Sequence, residues 1–174
     1  MLTNYSYFSD YYHTAQSGKI INLIQFFASK KIRITKRWNY YADAIVQKTD
    51  QSAPIKVPLL FTRSRLAYEG QFFKNLTLSA GLEVRYYTPY KPYNYSPFIG
   101  QFVPQNNITI SNRPDVTAFI HFRIKTFTGY IRTENLNTLS LSNGFQFTHN
   151  NYAAPHYPTP GKIIRFGIQW WFIN

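Results

Sequence analysis

Fixed charges recur at alternate positions in several separate stretches of this chain. Arg33, Arg37 and Asp43 share one parity, as do Arg63, Arg65 and Glu69, then Glu83 and Arg85, then Asp115, His121 and Arg123, then Arg132 and Glu134, with Arg165 near the end. Of the nine arginines only Arg113 stands apart, at the edge of a loop-like segment. Cationic side chains repeated along a wall can act in two ways. A ring of guanidinium groups lowers the barrier to anions and raises it to cations. Alternatively, arginines and acids pair across neighbouring strands and fill a narrow interior with one another.

Catalysis is not expected, and no catalytic residue can be named. His13, His121, His149 and His156 are scattered without ligand spacing, and Cys is absent, so neither a thiolate metal site nor a disulfide can form. His121 and Asp115 share one parity, but no serine elbow, acidic pair or nucleophile accompanies them. No metal and no cofactor is expected. Nineteen Lys and Arg against seven Asp and Glu give +12, a balance that suits polyanions. Because the arginines alternate with acids instead of clustering, nucleic acid is not an expected partner.

The elements that would position these charges have period two. At the end of the chain Ile164, Phe166, Ile168, Trp170 and Phe172 fall on one side and Arg165, Gly167 and Gln169 on the other, which marks a strand with one apolar and one polar face. The order Arg165, Gly167, Trp170, Phe172 resembles the C-terminal signal by which bacterial outer-membrane barrels are recognised for insertion. Similar alternation predicts strands from Ile32 onward, over 57–70, over 76–87, over 115–124 and over 126–137. Residues 2–15 and 19–28 add two strands whose faces cannot be assigned, for eight candidates and no helical period. Lys36 is an exception on the apolar side, tolerable if it snorkels to an interface.

Tight turns are expected at 29–31, at 70–71 and around Lys125, and longer connections at 48–54, 88–112 and 138–160. Short turns on one side and long loops on the other are what a transmembrane barrel requires. Aromatics supply 19% of residues, fifteen Tyr and fifteen Phe, at a mean hydropathy of -0.33. Trp38, Tyr40, Tyr86, Trp170, Trp171 and Phe172 lie near strand ends, where interface girdles sit. The Tyr-rich stretch 86–95 falls in an outer loop, where it could stack on sugars or on a partner. No run of eighteen apolar residues exists, which excludes a transmembrane helix and leaves a barrel open. The opening MLTNYSYFSD has no basic segment followed by an apolar stretch, so a removed leader or a longer parent chain is expected.

Four phrases, VPLLFTRSRLAYEG at 57–70, YSPFIGQF at 95–102, SNRPDVTAFIHFRI at 111–124 and YPTPGKIIRFGIQWWF at 157–172, together resemble the C-terminal part of the porin family of Bacteroidetes-type outer membranes. The resemblance is strongest from Val57 onward. It implies an outer-membrane barrel, and family members with a signal peptide and more N-terminal strands imply that this chain is a partial product, a split barrel or a short subunit. The expected fold is a single all-β domain over 1–174: a transmembrane antiparallel up-and-down β-barrel, or the C-terminal eight-strand portion of a larger one. The expected function is a passive diffusion channel with a basic lumen lined by the charged residues above, or a barrel subunit of an envelope complex. Outer-membrane lipid and lipopolysaccharide, the barrel-insertion machinery and other envelope proteins are the expected partners. The alternative is a soluble basic β-protein that binds polyanions.

Overall fold

The computed structural model describes residues 4–50, 53–140, 146–147 and 150–172. Runs in which branched or aromatic residues alternate with polar ones extend into seven strands: β1 (Leu23–Arg33), β2 (Trp38–Thr49), β3 (Leu60–Phe72), β4 (Leu76–Tyr87), β5 (Asp115–Ile124), β6 (Phe127–Glu134) and β7 (Ile163–Trp170). They form one antiparallel sheet in chain order, each strand bonded to its sequence neighbour. The all-β, up-and-down class expected from the sequence is therefore the one found. The sheet is not closed: among the described residues β1 pairs only with β2 and β7 only with β6. Since direction alternates across seven strands, the two edge strands run the same way.

Three sequence expectations change. Residues 2–15 do not supply an eighth long strand; 5–17 fold as a separate hairpin, Tyr5–Phe8 against Thr14–Ser17. The turn expected at 29–31 is continuous strand, because Ser29 and Lys31 keep the alternation and face Asp43 and Tyr41. The reversal comes at 34–37. There the Ile34 and Thr35 N–H groups both donate to the Trp38 carbonyl at 2.9 and 3.2 Å, and the Thr35 hydroxyl accepts the Trp38 N–H at 3.1 Å. Lys36 thus sits in a turn and needs no snorkelling. Likewise β3 runs past 70–71 to Phe72, and Phe73 and Lys74 make the reversal with φ of 46° and 52°.

The connections sort by end. Turns 34–37, 73–75 and 125–126 lie at one end of the sheet, and the longer segments 50–59, 88–114 and 135–162 at the other. The long segments carry small hairpins of their own, Asn94–Ser96 with Gln101–Val103 and Tyr152–Ala154 with Tyr157–Pro158. The N-terminal hairpin leans on them, with Asn94 Nδ2 donating to Tyr11 Oη at 2.5 Å and Tyr12 edge-on to Phe98.

Sidedness is inverted relative to a water-soluble sheet. On the polar parity Ala67 is 0% exposed, Thr117 1% and Glu83 6%, whereas on the apolar parity Phe166 is 80% exposed, Ile168 75%, Ile24 74% and Leu82 49%. Two glycines let aromatic rings lie flat across the sheet. Gly129 faces Phe122 across the ladder and Gly167 faces Tyr130, and a Cβ on Gly167 would come within 2.8 Å of the Tyr130 ring. The rings cover backbone that no side chain protects. Gly167→Val is expected to displace Tyr130 and to destabilise the β6–β7 edge by about 1–3 kcal/mol, read as a lower urea midpoint of the folded protein. Adding Tyr130→Ala should return part of the loss; equal midpoints for wild type and Gly167→Val would refute the slot.

Candidate functional site

Cross-strand register lines up the charged residues in transverse rows on the polar face. One row runs Ser29, Asp43, Arg63, Arg85, Asp115; the next Lys31, Tyr41, Arg65, Glu83, Thr117; a third Arg33, Asn39, Ala67, Gly81, Phe119, Arg132, Arg165. Two of these rows set arginines directly opposite each other, Arg63 with Arg85 and Arg132 with Arg165, an arrangement that by itself repels.

Each opposed pair shares one glutamate. Arg63 Nη2 lies 2.7 Å from Glu83 Oε2 and Arg85 Nε 3.8 Å from Glu83 Oε1. Arg165 Nε lies 3.2 Å from Glu134 Oε2 and Arg132 Nε 3.7 Å from Glu134 Oε1. The alternation explains the repeat: a glutamate two residues from an arginine on one strand projects to the same face and reaches the arginine of the next strand as well. Each triad keeps one net positive charge.

Arg65 is held differently. Its register partner Glu83 is taken by the first triad, and among the described residues no carboxylate lies within 4.0 Å of it. Instead the guanidinium stacks 4.4 Å from the Phe119 ring and 5.6 Å from the Tyr41 ring, with a long bond from Nη2 to Ser79 Oγ at 3.4 Å. Its Nε is buried without a hydrogen-bond partner. Phe119 can lie there because its row neighbours are Gly81 and Ala67. Tyr41 also carries Lys31 Nζ at 5.0 Å over its ring, while its hydroxyl donates to Glu69 at 2.9 Å. Asn39 Nδ2 donates to the same carboxylate at 2.7 Å. Tyr41 therefore stands between a carboxylate satisfied by neutral donors and two cations.

Other expected lining residues divide by height. Arg33 and Arg123 are on the polar parity at the turn end, where Arg33 Nε donates to the Thr35 carbonyl at 3.3 Å and Arg123 Nε to the Lys125 carbonyl at 3.1 Å. Arg37 is a correction: it belongs to the turn, donates from Nη1 to Tyr68 Oη at 2.9 Å and stacks on Phe72, both on the apolar parity. His121 stands between the rings of Phe119 and Tyr130. It is far from Asp115, whose carboxylate accepts from Asn151 Nδ2 at 2.6 Å, so the two form no acid–base couple. His13 pairs locally with Asp10 at 2.9 Å on an exposed turn, and His149 lies outside the described residues. Among the described residues no three His, Asp or Glu are grouped to hold a metal.

Of the proposed insertion signal, Arg165 and Gly167 face the polar side, and Trp170 stacks on Phe172 with centroids 5.3 Å apart. Lys31 and Tyr41 were missed from sequence. Reading 29–31 as a turn hid Lys31, and Tyr41 looked like one aromatic among many although its parity matched Asn39 and Asp43.

Glu83→Gln should leave Arg63 and Arg85 opposed without their shared carboxylate, with only Asp43 and Asp115 flanking them in the row. The expected loss, reduced by solvent around both arginines, is about 1–3 kcal/mol in urea unfolding. Arg85→Gln in the same background should recover part of it, and no recovery would refute the shared-carboxylate account.

The family model described as "Putative porin" matches residues 1–174, the whole chain. No curated protein and no solved structure matches it. With its antiparallel up-and-down sheet, inverted sidedness and charged polar face, this chain belongs to that porin family.

Proposed function

We propose that the chain forms wall of an outer-membrane β-barrel that works as a passive diffusion channel with a basic lumen. The inverted sidedness carries this function. Large apolar side chains left in water cost about 1.5–3 kcal/mol each relative to burial, a cost that hydrocarbon removes along the whole apolar parity. A soluble polyanion-binding protein would bear it in full. Further support comes from the aromatics on that parity at the turn end, where Trp38, Tyr68 and Phe72 contact one another and Phe122, Phe127, Trp170 and Phe172 make a second run. They form a band of the kind that sits at a membrane interface. The turns then face the periplasm and the long segments the outside.

The lumen is lined by Arg63, Arg65, Glu69, Glu83, Arg85, His121, Arg132, Glu134 and Arg165, with Arg33 and Arg123 toward its periplasmic mouth. Direct pairing of β1 with β7 would give a parallel seam, since both run the same way. Antiparallel closure needs an odd number of further strands: one would give an eight-stranded interior filled by its own side chains, three or more an open one, and a diffusion channel takes the latter. Those strands come from additional polypeptide, so a subunit of an envelope complex is the second form of the same function. Lipid, lipopolysaccharide and, through Arg165, Gly167, Trp170 and Phe172, the insertion machinery are its partners. Its role is non-enzymatic and needs no nucleic acid.

Two measurements test this. Leu82→Arg places a charge on the apolar parity and should lower the stability of the vesicle-inserted protein by about 2–4 kcal/mol if it lies near the midplane; an unchanged urea midpoint would refute a lipid-facing position. In bilayers under a salt gradient, Arg65→Gln should shift the reversal potential toward lower anion preference more than Arg63→Gln does, because only Arg63 is paired to a carboxylate. Equal, null shifts would assign the arginines a structural role.

A further inference from the structure

At the loop end of β2 a cleft of about 490 Å³ opens between Lys48, segment 55–59 and segment 89–91. Three lysines line it, Lys48, Lys56 and Lys91, with one acidic residue, Asp50. Lys48 lies on the apolar parity, paired across the ladder with exposed Ile24 and two residues beyond exposed Val46. Leu59, 56% exposed, completes an apolar rim beside it.

The cleft is braced from behind. Lys56 Nζ donates to Asn106 Oδ1 at 2.8 Å, its backbone N–H to Tyr93 Oη at 3.2 Å, and Tyr93 Oη in turn to the Pro54 carbonyl at 2.8 Å. Burial first and the neighbouring Lys91 charge second hold the Lys56 ammonium below its usual range, so two cations crowd a partly dehydrated space. A dianionic group would relieve that crowding.

We infer that this cleft binds the phosphate of a lipid headgroup, with the acyl portion lying along Leu59, Val46 and Ile24. The inference rests on the membrane placement proposed above, which puts this end of the sheet at the outer leaflet. A soluble phosphate would satisfy the three lysines but would leave the apolar rim unused; a phosphorylated lipid uses both.

The test uses the full chain in neutral detergent, with bound lipid counted by native mass spectrometry. Bis-phosphorylated lipid A should be retained, the same lipid without its phosphates should be lost, and inorganic phosphate at equal concentration should not displace it. Replacing Lys48, Lys56 and Lys91 together by Gln should weaken retention by roughly 10- to 100-fold, while Lys36→Gln, Lys74→Gln and Lys125→Gln at the turn end should not. Equal retention of both lipid forms by the unsubstituted chain, displacement by inorganic phosphate, or equal loss in the turn-end variant would overturn the site. Fractionation of cells keeps the two proposals apart. A chain absent from the outer membrane sinks the membrane placement, whereas a membrane-bound chain indifferent to the phosphates sinks only the cleft.

Discussion

Register is the constraint on which the rest of this molecule depends. Side chains alternate with a period of two, so a one-residue slip of β3 against β4 would send Arg63, Arg65 and Glu69 to the apolar side and Leu66 and Tyr68 to the polar side. Such a slip is strongly disfavoured when one face carries most of the charge and the other is mainly apolar, with Lys30, Lys48, Thr62 and Ser64 as its polar exceptions. The opposed arginines sharpen this, because they are accommodated only where Glu83 and Glu134 stand beside them. A different register would leave like charges facing each other without their common partner.

The charged wall is not uniform. Arg63, Arg85, Arg132 and Arg165 spend most of their field on two carboxylates, and their spacing is a matter of holding strands together. Arg65 and Lys31 instead rest on aromatic rings, where the ring quadrupole offsets part of the desolvation without cancelling the charge. Tyr41 keeps Glu69 occupied through its hydroxyl and so prevents that carboxylate from neutralising its cationic neighbours. The separation of structural from uncompensated charge thus rests on Tyr41 and Asn39 at Glu69 and on Phe119 beneath Arg65.

Much of this was legible in sequence, and the failures have physical causes. The faces of 76–87 and 115–124 followed from strict alternation and match the observed register, as do those of 57–70 and 126–137 within 60–70 and 127–134, while 57–59 and 135–137 lie outside the strands. Where polar residues run together the pattern failed. Ser29, Lys30 and Lys31 look like a turn, yet Ser29 and Lys31 are strand residues on the polar face, Ser29 donating to Asp43 at 2.6 Å. Phe73 hid the second turn, since an aromatic with positive φ is not a turn signal. Shared carboxylates and the ring-bedded Arg65 depend on which of two arginines wins a glutamate, a choice that parity does not fix. The lysine cleft joins residues about forty positions apart through loops, and no periodicity reports on loops.

The three tight turns also divide the sheet into assembly units. β1–β2, β3–β4 and β5–β6 are hairpins closed by only a few residues, while the β2–β3, β4–β5 and β6–β7 seams must be closed across 50–59, 88–114 and 135–162. Closing a segment of the longer kind costs about 1–2 kcal/mol more entropy than closing a tight turn. Hairpins accordingly form first and zip to one another afterwards. β7 has no tight-turn partner of its own and meets β6 across 135–162, with Tyr130 lying over Gly167 and Phe127 against Trp170. The final strand, tethered by the longest segment, carries the largest closure cost of any strand in this sheet.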